Sequence, residues 1–147
     1  MIYVGVDPGK RGGYASIYED CVETFPWDDM FFISHMKSLL ATGESIVACV
    51  EKVGAMPKQG VSSTFSFGKA AGYIEGVLSA LGIPYQLVPP QVWKREFSLI
   101  GKDKKASVAT CKKLFPDVQL LPSNRSRVDN DGMAEALLMA CYASRKF

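Results

Sequence analysis

The chain has 147 residues, of which 48% are apolar and 22% charged, the composition of a folded globular protein and not of a disordered or fibrous one. Its length is that of one domain, 1–147, with a true core. Four widely spaced cysteines without a CxxC pair, and a single histidine, argue against a zinc site, and no apolar run approaches membrane-spanning length.

The net charge is only +2, but it is unevenly spread. Through Glu51 there are three basic and eight acidic residues; from Lys52 onward there are fourteen basic and seven acidic. Between Lys94 and Lys113, seven basic residues face two acids. Such a stretch is either a solvated helix face or a surface for phosphate backbones. Cys49 and Cys141 sit in apolar runs and read as reduced core residues. With no charged leader before the first strand, the expected compartment is the cytoplasm, or the host-cell cytoplasm for a viral protein, and not an organelle.

The first seven residues, MIYVGVD, form a short apolar, β-branched run that ends in Asp7, and Pro8-Gly9 turns the chain. Tyr14 to Tyr18 alternates as a second strand, Glu19-Asp20 turns, and Cys21 to Phe25 returns as a third, making an antiparallel meander. Asp28 and Asp29 open a helix on which Phe32, Ile33, Met36, Leu39 and Leu40 recur at helical spacing. His35, on that helix, reads as a packing or surface residue. Ile46 to Val50 is a continuous apolar run, a central strand buried on both faces, and it too ends in an acid, Glu51. A helix between the two strand–acid units allows a parallel crossover, which would carry Asp7 and Glu51 to one sheet edge.

Lys52 to Val61 is a loop that leaves directly from the second acid. Ser62 or Ser63 is the expected cap of the next helix, whose stripe is Phe67, Ala70, Ala71, Ile74, Val77, Leu78 and Leu81. Gly68, Gly72 and Gly76 fall on one face of it, each costing about 1 kcal/mol relative to Ala. Close approach of another backbone would compensate, either the sheet below, which is the preferred reading, or a partner subunit. Tyr85 to Val88 is a fifth strand. Gln91 to Phe97 is a short helix carrying Trp93, Lys94 and Arg95, and a basic helix runs from about Lys104 to Phe115. Leu120 to Asp129 lacks periodicity and reads as a polar loop. Asp131-Gly132 opens the last helix, with Met133, Ala136, Leu137, Ala140 and Cys141 as its apolar face.

Asp131 and Glu135 are four apart on that helix and share a face. With Asp7 and Glu51 they give four carboxylates from three segments. Clustered carboxylates repel in a poorly solvated cleft, and hard divalent cations relieve that repulsion, with phosphate oxygens completing the shell. The expected cofactor is therefore Mg²⁺, with Mn²⁺ able to substitute, and the expected chemistry is phosphodiester cleavage. Asp129, in the preceding loop, is a cap, an outer ligand or a bystander. Lys94 and Lys105 are the candidates to neutralise charge on a scissile phosphate. Lys52, Lys58, Arg95, Lys102 and Lys104 are expected DNA contacts, as are Lys112, Arg125 and Arg127 further along.

Taken together, VDPGKRGGYA at Val6 to Ala15, VEKV at Val50 to Val53, FGKAAGYIEGVL at Phe67 to Leu78, VPPQVWKREF at Val88 to Phe97, KKASVATCKKLFP at Lys104 to Pro116 and DGMAEALLMA at Asp131 to Ala140 resemble a RuvC-type Holliday junction resolvase, in the compact version associated with phages and organelles. The resemblance implies an α/β, RNase H-like fold, a five-stranded mixed sheet flanked by helices. It implies a Mg²⁺-dependent homodimer that nicks a four-way DNA junction symmetrically, with catalytic acids at Asp7, Glu51 and the last helix, and functional lysines at Lys94 and Lys105, the latter preferred. Two departures stand out. The last helix has a four-residue acid spacing where bacterial relatives have DxxDAL, and Gly54, with Met56 two residues on, stands where those relatives carry an aromatic residue. Three other readings compete: an actin-like ATPase lobe, for which 147 residues leave no second lobe; a catalytically silent junction binder; and an RNase H-like nuclease acting on flaps or RNA–DNA hybrids.

Overall fold

The computed structural model describes residues 1–54 and 57–147, so Met56 lies outside the described residues. β1 (Ile2–Asp7), β2 (Gly13–Tyr18) and β3 (Cys21–Pro26) pair antiparallel through short turns, as their alternating sequences require. α1 (Asp29–Leu40) then crosses over to β4 (Ile46–Glu51), which pairs parallel with β1. α2 (Val61–Ala80) leads to β5 (Tyr85–Val88), parallel to β4. α3 (Pro90–Glu96), α4 (Lys104–Leu114) and α5 (Asp131–Lys146) complete the chain. The sheet has five strands in the order β3-β2-β1-β4-β5, the mixed, helix-flanked arrangement of the RNase H-like class.

Side chains alternate across a strand, so the central strands feed two cores. On one face, Val4, Val6, Ala48 and Val50 pack with Phe32, Met36 and Leu39 of α1 and with Ile74 and Leu78 of α2. His35 closes the outer end of this layer. Its ring lies against Tyr14 and Phe25, and its Nε2 is 3.2 Å from the Ser16 hydroxyl, a packing role. On the other face, Ala15 and Cys49 meet α5, which Trp93, Cys111 and Leu120 cover from outside.

α5 therefore lies between the sheet and an outer layer, and it is buried all round. Every residue from Gly132 to Cys141 is buried, not only the apolar face expected from spacing. It reaches the sheet because Gly5 has no side chain. A Cβ built there would lie 1.9 Å from the Ala136 carbonyl oxygen and 2.5 Å from the Ala140 nitrogen. Gly132 is equally constrained, since a Cβ there would fall 2.2 Å from the Arg11 carbonyl oxygen. The helix backbone thus rests on β1 and on the turn that follows it.

Two expectations are corrected. α2 starts one residue before the expected serine caps: Gly60 occupies the N-cap with no side-chain hydrogen bond. The sheet does not fill the glycine face either. Among the described residues, nothing lies within 4 Å of a Cβ built at Gly68, Gly72 or Gly76. Ile74 and Leu78 turn toward the sheet, and the glycines lie on the opposite side of the helix.

Candidate active site

Parallel pairing fixes the first half of the site. Val6 is in register with Val50, so the next residues, Asp7 and Glu51, leave the sheet side by side at one edge. α5 supplies the third acid: Glu135 is the residue before Ala136, whose carbonyl sits against Gly5. One carboxylate oxygen from each of Asp7, Glu51 and Glu135 lies within 4.8 Å of the others, and Glu135 is buried.

The electrostatics follow from that crowding. Burial raises the Asp7 carboxyl well above the ordinary range, and the neighbouring Glu51 and Glu135 charges add to the effect. Burial also raises Glu51; the Trp93 hydrogen bond, Lys94 and Lys104 oppose the shift. Glu135 is raised by burial and by Glu51, against the same two lysines. Two outer hydrogen bonds hold the cluster in place. The Trp93 indole N–H donates to Glu51 Oε2 at 2.8 Å, and the Ser107 hydroxyl donates to Glu135 Oε1 at 3.3 Å. Three converging carboxylate oxygens on rigid elements, whose crowding a cation would relieve, fit a hard divalent cation.

The cluster opens into a cleft of about 920 Å³. Lys94, Lys102 and Lys104 line it on the side of α3 and α4, and Lys10, Arg11 and Lys69 line it elsewhere. Lys104 faces all three carboxyls, lowering each of them, and its Nζ is 3.1 Å from Asp131 Oδ2. Asp131 stands beside the cluster and not in it: it adds repulsion to Asp7 and Glu135 while engaging Lys104. Lys105, the next residue, is exposed and does not line the cleft.

The other sequence candidates are placed apart. Asp129 is tied to Lys112 by an ion pair, and Asn130, not Asp129, caps α5. Lys52, Lys58, Arg95, Arg125 and Arg127 are exposed outside the cleft lining. Gly54 is exposed. Trp93, Ser107, Lys10, Arg11 and Lys69 are site residues that the sequence reading did not single out. The only local trace is the three-residue step from Lys104 to Ser107, which puts both on one side of α4.

No protein-family model and no curated protein matches the chain by sequence. Solved structures do match in three dimensions. RuvC of Thermus thermophilus in complex with a Holliday junction substrate superposes with a TM-score of 0.64 at 14% identity, covering 99% of this chain and 97% of that one. The chain has the RuvC fold. A second structure of Thermus thermophilus RuvC gives a TM-score of 0.58 at 16% identity, covering 99% and 96% of the two chains. The RuvC likeness therefore runs through every element that positions the three acids. Among the described residues, no helix is long and apolar enough to cross a membrane.

Proposed function

We propose that residues 1–147 act as one RNase H-like nuclease domain that resolves four-way DNA junctions by paired symmetric nicks, in a Mg²⁺-dependent hydrolysis of the phosphodiester. The observation that carries the proposal is the convergence of Asp7, Glu51 and Glu135 within 4.8 Å at the floor of a lysine-lined cleft. The RuvC fold supports the choice of substrate, since one of the matched structures holds a Holliday junction.

Asp7, Glu51 and Glu135 would hold the cation, with Asp131 beside them. Mg²⁺ bound there supplies Lewis-acid chemistry at a phosphate oxygen. The chain's own groups do the rest. Trp93 and Ser107 fix the directions of Glu51 and Glu135 by donating to them. Lys104 and Lys94 set positive charge beside the carboxylates, where negative charge grows on a phosphate under attack. Lys102, Lys10, Arg11 and Lys69 give the strand's phosphates a path through the cleft.

A junction with two-fold symmetry calls for two such sites, and the proposed assembly is a homodimer. The outward face of α2 supports this. Phe65 is 71% exposed there, and the three glycines leave room for a second backbone.

The test is incubation of labelled four-way, flap, hybrid and linear duplex DNA with Mg²⁺. Symmetric nicks confined to the four-way substrate are expected, and Asp7→Asn should nick nothing while still binding the junction. Equal cleavage of flaps or RNA–DNA hybrids would replace resolvase with another nuclease of the same fold. Full activity in Asp7→Asn would end the metal-site proposal.

A further inference from the structure

The cleft has an aromatic lining as well as a basic one. Trp27, Phe67 and Tyr73 line it together with Lys10 and Lys69. The Trp27 indole N–H donates to Asp29 Oδ1 at 2.7 Å, and the Tyr73 hydroxyl donates to the Asp29 backbone carbonyl at 3.0 Å. The two rings meet edge to face, 6.2 Å between centroids and 90° between planes. One residue thus anchors both rings, one from the end of β3 and the other from the middle of α2. Phe67 is 42% exposed, and its ring lies 3.3 Å from a Cβ built at Gly9, two residues beyond Asp7. Phe67 therefore sits against the turn that follows Asp7.

Beside the rings the cleft also carries a carboxylate. Asp29 is exposed and lines the cleft, with exposed Asp28 next to it in sequence. A neutral group with a flat π face suits such a wall, and an exocyclic amine on that group would suit the Asp29 carboxylate. A nucleobase has the π face, and cytosine and adenine also have the amine. Lys69 and Lys10, lining the same cleft, offer charge to the phosphates on either side.

We propose that this part of the cleft is a subsite for one unstacked nucleobase of the strand lying over Asp7, Glu51 and Glu135, stacked on Phe67 and walled by Trp27 and Tyr73. The inference rests on the nucleic-acid reading above and adds how the strand is gripped. Phe67 is a positioning residue in this scheme. It holds the nucleotide next to the phosphate under attack, and its loss acts on turnover more than on overall affinity, because phosphate contacts dominate the latter.

The test places 2-aminopurine, an adenine analogue whose emission falls on stacking, beside the nicked position of a four-way junction. Binding is read in EDTA, without cleavage, and nicking is read separately with Mg²⁺. The wild type should quench the probe. Phe67→Ala should lose most of the quenching and slow nicking on the order of tenfold, with junction Kd changed less than about threefold and thermal stability kept. Phe67→Tyr should restore quenching and rate. No quenching by the wild type, or equal quenching by Phe67→Ala, overturns the subsite whatever the nicking shows. A wild type that nicks no substrate yet quenches through Phe67 overturns the resolvase reading alone and supports the base subsite.

Discussion

The indole N–H of Trp93 donates to Glu51 Oε2 at 2.8 Å, linking a fully buried residue of α3 to the acid at the end of β4. A hydrogen bond to a charged acceptor in such a setting both orients the acceptor and stabilises its ionised form. Trp93→Phe keeps most of the packing and removes the donor. It is expected to raise the Mg²⁺ concentration for half-maximal nicking about tenfold and to lower stability by about 1–3 kcal/mol. A Mg²⁺ titration of nicking, alongside urea melts, measures both. An unchanged Mg²⁺ midpoint would reduce Trp93 to a core residue.

The metal-free protein should be sensitive to pH in a definite direction. Asp7, Glu51 and Glu135 are all raised in the folded state, chiefly by burial. Their native forms therefore hold protons that the unfolded chain has released. Stability falls as pH rises from the unfolded carboxylate range through the raised folded values. Melting in EDTA should show Tm decreasing across that window, and Mg²⁺ should raise Tm more at the alkaline end, where it replaces protons. In Asp7→Asn the decline should shrink. A Tm profile identical with and without Mg²⁺ at every pH would leave the cluster without a cation.

Lys104, not its neighbour, faces the carboxylates. Lys104→Ala is expected to slow nicking by about 10²-fold, whereas Lys105→Ala should stay within about threefold of wild type in rate and affinity. Single-turnover rates on the four-way substrate separate the two. The reverse ranking would restore the role to Lys105, as the family resemblance implies.

The glycines divide into two kinds. Gly5→Ala drives a methyl into the Ala136 carbonyl and should cost about 3 kcal/mol or more, since backbone and not a flexible side chain must yield. Gly72→Ala meets nothing among the described residues and should stabilise an isolated α2 by about 1 kcal/mol. If α2 packs against a second copy, Gly72→Leu should instead weaken association. Sedimentation of wild type and Gly72→Leu, read beside their Tm values, distinguishes an interface from a bare helix face.

The acids that end strands were legible because two short apolar runs each stop on a carboxylate, and a crossover helix allows only a few arrangements. Asp7 and Glu51 meet for that reason. On α5 the four-residue spacing identified a shared face but not how deep each acid sits. Asp131 lies in the first turn beside Lys104, while Glu135 is a turn further in, under the sheet. The choice between Lys104 and Lys105 turned on helix phase. One residue is about 100° of rotation, and a short basic helix carries too weak an apolar stripe to set it. Trp93 left no local pattern and Ser107 only its three-residue step from Lys104, because their partners are 42 and 28 residues away. The glycine face announced missing side chains but not what stands opposite them. Trp27, Phe67 and Tyr73 lie on separate segments that only folding brings together.

The contact between Gly5 and the Ala136 carbonyl has a practical corollary for redesign. Glu135 takes its height above the sheet from main chain resting on main chain, so the spacing of the acidic trio is insulated from the choice of aliphatic residues in the opposite layer. Exchanges among Val4, Phe32, Ile74 and Leu78 could harden or soften the scaffold while leaving the dimensions of the acid cage alone.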